Sequence, residues 1–183
     1  MNNDKEIVDA VRARRAGWPN LLVNRFGQEV FTMIVRITDD VMDAEELTQD
    51  TFLRAFQRIG SYDPRRASVG TWLCRIAHHL TIDFLRWKPP VLLPIDESEG
   101  WQTDITDDEL DGGLSTGAEE RIQQLEALMD RLAPDERLLL TLHYYENRSL
   151  DECAFIMDST PHALANRLYR IRKKLYKQLQ DVE

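Results

Sequence analysis

Apolar side chains recur every three or four positions along most of the chain, a spacing that predicts helices rather than strands. The clearest case is Leu21–Ile37, where one face is apolar along its whole length. The predicted core positions there are Leu22, Phe26, Val30, Met33, Ile34 and Ile37. A shorter helix, Asp4–Ala16, precedes it and is expected to end at Gly17-Trp18-Pro19. These patterns predict an all-α first domain.

A further helix is predicted over Asp43–Ile59, DAEELTQDTFLRAFQRI, and its two faces differ. One face is an ordinary core stripe that includes Leu47 and Phe52. The opposite face is polar but has Leu53 at its centre, surrounded by Glu46, Gln49, Asp50 and Gln57. Scattered surface leucines are common, so this position is either unremarkable or a docking point for another protein.

The next predicted helix, Val69–Trp87, follows a loop punctuated by Gly60 and Pro64. Its apolar side includes Trp72 and Leu73. Its other side is polar and cationic, with His78, His79, Asp83, Arg75, Arg86 and Lys88. Adjacent histidines point about 100° apart on a helix, so a polar face is favoured over a metal site.

The C-terminal part predicts four helices: Glu119–Leu132, a second that starts at Pro134, Leu150–Met157, and a last one that starts at Pro161. Ser149 and Glu152 have the spacing of a capping box at the start of the third of these helices, Leu150–Met157. The last two helices are separated by Asp158-Ser159-Thr160. This order predicts a helix-turn-helix whose second helix reads DNA.

The last helix has a strongly cationic surface. Between Pro161 and Gln178 it has six Lys and Arg residues and no carboxylate. Its apolar face includes Leu164, Leu168 and Ile171. The opposite face carries the predicted DNA contacts, which are Ala163, Asn166, Arg167, Arg170, Lys174 and Lys177. Cations on one side of a reader helix suit phosphate contact, and Asn and Arg side chains can reach base edges.

The charge is unevenly distributed along the 183 residues, whose formal net charge is −9. The segment 89–118 has eight acidic residues and no Lys or Arg, so the flanking parts are near neutral. We expect it to be a mobile acidic linker between a first domain, 1–88, and a second domain, 119–183. Net charge therefore does not exclude nucleic-acid binding, and local patches decide the partner.

No catalytic, metal or cofactor site is predicted. Cys74 and Cys153 match no metal-ligand spacing and fall at apolar helical positions, which favours buried thiols. No phosphate loop or nucleophile triad is present, so we expect the chain not to be an enzyme. No apolar run approaches the roughly 18–20 residues that span a bilayer. These features predict a soluble, cytoplasmic protein.

Two motifs in the first domain carry a family resemblance. The run from Asp43 to Leu53 resembles the D-A-E-D-L-x-Q-E/D-x-F-L signature of extracytoplasmic-function (group 4) sigma factors, with Glu46 where Asp is usual. The run Thr71–Ala77 is similar to the T-W-L-x-R-I-A signature of sigma regions 2.3 and 2.4. In the family, the helix of the first motif binds the clamp helices of the polymerase β′ subunit. The resemblance thus implies a polymerase-binding surface at Glu46, Gln49, Asp50, Leu53 and Gln57.

The same resemblance implies capture of the promoter −10 element as single-stranded DNA. The loop 61–68 would hold a flipped base, and the following helix would face the strand. The residues implied in −10 contact are Arg65, Arg66, Trp72, Arg75, His79, Asp83 and Arg86. His79 departs from the family pattern, which has Asn at this position.

The segment Glu152–Leu175 is similar to sigma region 4.2, which reads the −35 element in the major groove. The matching positions are Glu152, Ala154, Arg167, Leu168, Arg170, Arg172 and Leu175. Asp158 departs from the pattern by replacing the turn glycine, and Ala163 replaces threonine. Asp158 is expected at a positive-φ turn position, which aspartate tolerates better than most residues.

Together the two resemblances imply an alternative sigma factor that binds core RNA polymerase, at the β′ clamp helices and the β flap, and promoter DNA. The family usually has an anti-sigma factor as a further partner. The alternative function is a helix-turn-helix transcriptional regulator that does not bind core polymerase. A plain all-α adaptor leaves the anion-free last helix unexplained.

Overall fold

Helices form all the regular secondary structure of the part of the chain that is described here. The computed structural model describes residues 3–13, 15–87, 125, 127–129 and 131–180. The helices of the first domain are α1 (Asn3–Arg12), α2 (Trp18–Thr38), α3 (Val41–Arg58), a 3-10 turn (Ile59–Ser61) and α4 (Val69–Trp87). Those of the second are α5 (Pro134–Leu140), a π-helical turn (Thr141–Tyr145), α6 (Leu150–Met157) and α7 (Pro161–Gln180). The predicted all-α class is confirmed, while the predicted linker 89–118 lies outside the described residues.

Local side chains fix where the helices begin. Asp40 caps α3 by accepting a hydrogen bond from the backbone N–H of Asp43 at 3.0 Å. Ser68 does the same for α4, accepting from Thr71 at 3.1 Å. The first helix ends at Arg12, before the predicted break at Gly17-Trp18-Pro19, and Pro19 itself lies in the first turn of α2, where proline is tolerated.

The core of the first domain lies between α2, α3 and α4, with α1 packed on α2. All six predicted core positions of α2 are buried, and α3 contributes Leu47 and Phe52. Cys74 on α4 is fully buried, as is Cys153 on α6, which confirms the prediction of buried thiols.

The second domain is built around the helix-turn-helix. The capping box of α6 is confirmed, since Ser149 Oγ accepts from the Glu152 N–H at 3.2 Å and Glu152 accepts from the Ser149 N–H at 3.0 Å. Asp158 ends α6 in the left-handed conformation at φ 52°, also as predicted. Of the described residues in the predicted helix over 119–132, residues 125 and 127–129 are helical, whereas 131 and 132 form a turn and a bend.

The two domains pack directly on one another, and their buried side chains form a continuous core. Helix α6 lies against α4, and α5 lies against α2. Ion pairs join Arg137 to Asp39 and Arg148 to Glu29 across this contact. Among the described residues, no helix has the length and apolar character needed to cross a membrane.

Candidate functional sites

The polar face of α3 is solvent-exposed in the way the sequence predicts. The two faces of α3 differ in exposure: Leu47, Phe52 and Ala55 of the core stripe are buried, whereas Leu53 on the opposite face is 57% exposed. The four polar neighbours of Leu53 are exposed as well: Glu46, Gln49, Asp50 and Gln57. Met42, at the start of the same helix, is 80% exposed. The sequence prediction missed Met42, which continues this surface toward the start of the helix.

The loop between α3 and α4 is held in place by its own side chains. Tyr62 donates its hydroxyl hydrogen to the carbonyl of Ala67 at 3.1 Å, and its ring packs on Trp72 with 5.5 Å between centroids. Arg65 forms an ion pair with Asp63 at 2.9 Å. Hydrogen bonds from Arg65 lower the pKa of Asp63 to about 2. Arg65 is thus held at the loop tip, with its side chain 88% exposed.

Four of the predicted −10 residues meet around one cavity of about 340 Å³ between this loop and α4. They are Arg66, Trp72, Arg75 and His79. Arg58 adds a cation to the lining, Asp63 adds a carboxylate, and Tyr62 adds an aromatic ring. Trp72 is only 9% exposed, so it serves mainly as a wall. Cationic groups beside flat aromatic surfaces suit a nucleotide, with its phosphate and its base.

The second domain forms the far wall of the cavity. Arg75 donates to the backbone carbonyl of Phe155, and its guanidinium lies 4.9 Å from the centre of that ring. The guanidinium of Arg66 lies 5.8 Å from the same ring centre. Asp158 pairs with Arg75 and with His79, whose Nε2 is 2.8 Å from the carboxylate. The sequence prediction missed Phe155. The feature that could have indicated it is an aromatic side chain on α6, a short helix whose predicted task was only to position α7.

The remaining predicted −10 residues lie apart from this cavity. Asp83 and Arg86 form an exposed ion pair at 3.3 Å one turn apart on α4. His78 was predicted on the polar side of α4, and that prediction is wrong, since His78 is 6% exposed. Its Nε2 lies 3.3 Å from Asp135 of α5. The side of α4 that looked solvated in the sequence is covered here by the second domain.

The cations of α7 have two kinds of surroundings. Ala163, Asn166 and Arg170 are exposed, and Arg170 bonds its own helix through Nε to the Asn166 carbonyl at 3.4 Å. Arg167 and Lys174 lie closer to the buried stripe and reach carboxylates of α5. Arg167 is 4.0 Å from Asp135 and Lys174 is 3.7 Å from Glu136. Helical geometry explains this, because those two positions flank the stripe, whereas 166, 170 and 177 oppose it.

Comparison with known proteins places both parts of the chain in one family. Residues 22–88 match Sigma-70 region 2, and residues 122–175 match Sigma-70, region 4. The chain is 30% identical over 166 residues to the ECF RNA polymerase sigma factor SigW of Bacillus subtilis (strain 168), covering 88% of each chain. It is 24% identical over 184 residues to the RNA polymerase sigma-H factor of Pseudomonas aeruginosa, covering 98% of this chain and 95% of that one.

Two solved structures resemble the fold. The structure of CnrH in complex with the cytosolic domain of CnrY aligns with a TM-score of 0.68 at 19% identity over 100% of both chains. The complex of the sigma factor RpoE with the anti-sigma factor NepR from Bartonella quintana aligns with a TM-score of 0.60 at 18% identity. That second alignment covers 86% of this chain and 94% of the other.

Proposed function

The chain belongs to the extracytoplasmic-function sigma factors of the sigma-70 family and is an alternative sigma factor that directs transcription initiation, and we propose how its surfaces divide that work. The polar face of α3 binds core RNA polymerase. The loop after α3 and the cationic side of α4 hold the −10 strand. The exposed face of α7 reads the −35 duplex. The protein acts by binding and not by catalysis.

The exposed Leu53 carries the proposal for α3. The side chain is 57% exposed in the middle of a polar face, while the apolar stripe of the same helix is buried. Burial in a partner's interface would remove this apolar surface from water, and a few residues often carry most of the binding energy of an interface. The alternative of a regulator that never contacts polymerase assigns no role to this face.

A substitution at Leu53 tests the proposal. Leu53→Asp places a charge in the predicted contact, and we expect it to weaken binding to purified core polymerase at least about tenfold, a loss of roughly 1.4 kcal/mol. The thermal midpoint should stay close to that of the wild type, because the side chain has few native contacts to lose. Binding is measured by titration of labelled chain with core enzyme.

Leu21→Asp is the matched control. Leu21 is 48% exposed on α2, in the same domain but outside the polar face of α3. It should therefore bind polymerase normally. Equal losses for the two variants, or normal binding by Leu53→Asp, would contradict the proposed surface.

An anti-sigma factor is the third partner that we propose. The solved structure of RpoE, which resembles this fold, holds an anti-sigma factor. Membership of the sigma factor family supports this partner.

A further inference from the structure

The turn after α6 lies on the face of α4 that we assign to single-stranded DNA. The Asp158 carboxylate pairs with Arg75 through one oxygen and lies 2.8 Å from His79 Nε2 through the other. The ring and carbonyl of Phe155, on the same helix, contact Arg75 as well. The two side chains of α4 best placed to meet a phosphate are thus already occupied by a carboxylate of the same chain.

The backbone at Asp158 supports a role for its side chain. The residue has φ 52° and ψ 47°, a left-handed conformation in which glycine is sterically preferred. Aspartate tolerates this conformation better than most residues do, because its short polar side chain can form local hydrogen bonds. Here the carboxylate instead pairs with Arg75 and His79, which lie on another helix.

We propose that Asp158 is an intramolecular stand-in for a DNA phosphate, which occupies Arg75 and His79 until a promoter strand displaces it. The proposal rests on the proposed function of α4. A group on the same chain acts at an effective concentration on the order of millimolar, so it competes with dilute non-specific DNA. A promoter strand held by the polymerase also acts at a high effective concentration, so it can displace the Asp158 carboxylate.

The contact is exposed enough to exchange. The Asp158 side chain is 54% exposed, His79 is 41% exposed and Arg75 is 27% exposed. Ion pairs at such positions are modest and screened by salt. They can therefore suppress weak binding to arbitrary strands without preventing promoter opening. The consequence is selectivity, because the free chain ignores single-stranded DNA that the polymerase has not positioned.

The test measures single-strand binding by the full chain. The probe is a fluorescein-labelled 12-nucleotide DNA strand of random sequence, titrated at low and moderate salt and followed by fluorescence anisotropy. Asp158→Asn keeps the shape of the side chain and its tolerance of positive φ but removes the charge. We expect it to bind the strand about five-fold or more tightly than wild type at low salt, because Arg75 is released from a competing carboxylate and can meet phosphate.

Asp151→Asn is the matched control. Asp151 is exposed on the same helix, and its substitution changes the net charge equally. An equal gain for both variants would mean that only overall charge matters, and the proposal would be overturned. No gain for Asp158→Asn would overturn it too. Asp158→Gly guards against a folding artefact, because glycine fits the backbone there, and it should show the same gain.

A second substitution separates this proposal from the proposed function. Adding Arg75→Ala to Asp158→Asn should abolish the gain. If the gain survives, the strand binds elsewhere, and the assignment of α4 to DNA fails with it. If Asp158→Asn shows no gain while Arg75→Ala alone still impairs run-off transcription with core polymerase, α4 keeps its function and only the stand-in role is wrong.

Discussion

At the scale of single residues, Arg167 and Arg170 of α7 differ in how readily they can contact DNA. Arg170 is exposed on α7, and its Nε contact is with its own helix backbone. Arg167 lies 4.0 Å from Asp135 and must leave that carboxylate before it can reach a base. A residue that is already aimed at solvent needs no such rearrangement. Arg170 is therefore the better candidate for direct readout.

We expect Arg170→Ala to weaken binding to the −35 duplex by roughly 1–3 kcal/mol and to spare binding to random duplex, since a base-edge contact is sequence-specific. Lys177→Ala should weaken both duplexes alike and reduce the salt dependence, as a phosphate contact does. Titrations of both variants against both duplexes at two salt concentrations measure this. Equal losses on the two duplexes for Arg170→Ala would show that it contacts only the backbone.

At the scale of helices, periodicity predicts which face is buried but not what covers it. The six core positions of α2 follow from their spacing alone, and α4 and α6 have the predicted bounds. The spacing of α4 also marks His78 as polar, but polarity does not reveal that Asp135 of another domain lies 3.3 Å away. Likewise Phe155 looks like an ordinary position of a short helix until α4 is placed beside it. Contacts between distant helices depend on packing that no local pattern contains.

Arg148 shows how strongly those distant contacts bind the helices together. It precedes α6, its side chain is 11% exposed, and it forms ion pairs with Glu29 of α2 and, at 3.0 Å, with Glu146. It also donates to Thr71 Oγ1 of α4 at 3.0 Å. A planar guanidinium can serve several acceptors at once, which an ammonium group cannot do with the same geometry.

We expect Arg148→Ala to destabilise the chain by on the order of 2–3 kcal/mol, because the carboxylates of Glu29 and Glu146 lose a largely buried partner. Arg148→Lys should recover only part of this loss. Chemical denaturation followed by circular dichroism measures the free energy of unfolding. Arg65→Ala is the control, since its side chain is 88% exposed, and it should cost little. A loss at Arg148 as small as that at Arg65 would contradict the expected role.

At the scale of the whole molecule, two carboxylates at the contact between the domains, those of Asp135 and Asp158, have lowered pKa values. The hydrogen bond with His78 is the main cause for Asp135. Burial acts to raise the pKa of Asp158, but hydrogen bonds from Arg75 and His79 outweigh it. A carboxylate with a lowered folded-state pKa contributes stability above its ordinary value, 3.8 for aspartate, and loses it as the pH falls through the lower folded value. Contact between the domains should therefore weaken in acid.

Asp135→Asn tests this pH dependence. At pH 7 the variant should melt at a lower temperature than wild type, because the favourable charge near His78 and Arg167 is lost. The difference should shrink as the pH falls below 3.8, where the wild-type carboxylate is increasingly protonated. Asp151→Asn is the control, because Asp151 is exposed on α6 and its substitution changes the net charge equally, and it should lower the melting temperature less at pH 7. A difference that is constant with pH would mean that the charge of Asp135 does not stabilise the contact.

The buried Cys74 thiol can report chemically on how often the two domains separate. Its sulfur lies under the second domain, 3.7 Å from Arg148 and 3.9 Å from Glu29. Burial raises the pKa of the thiol, so the reactive thiolate is scarce while the domains stay together. An alkylating reagent must wait for the domains to part, and the rate of labelling then measures how often they do so. Polymerase, DNA or an inhibitor that separates the domains would each be detected as faster labelling of an unmodified protein.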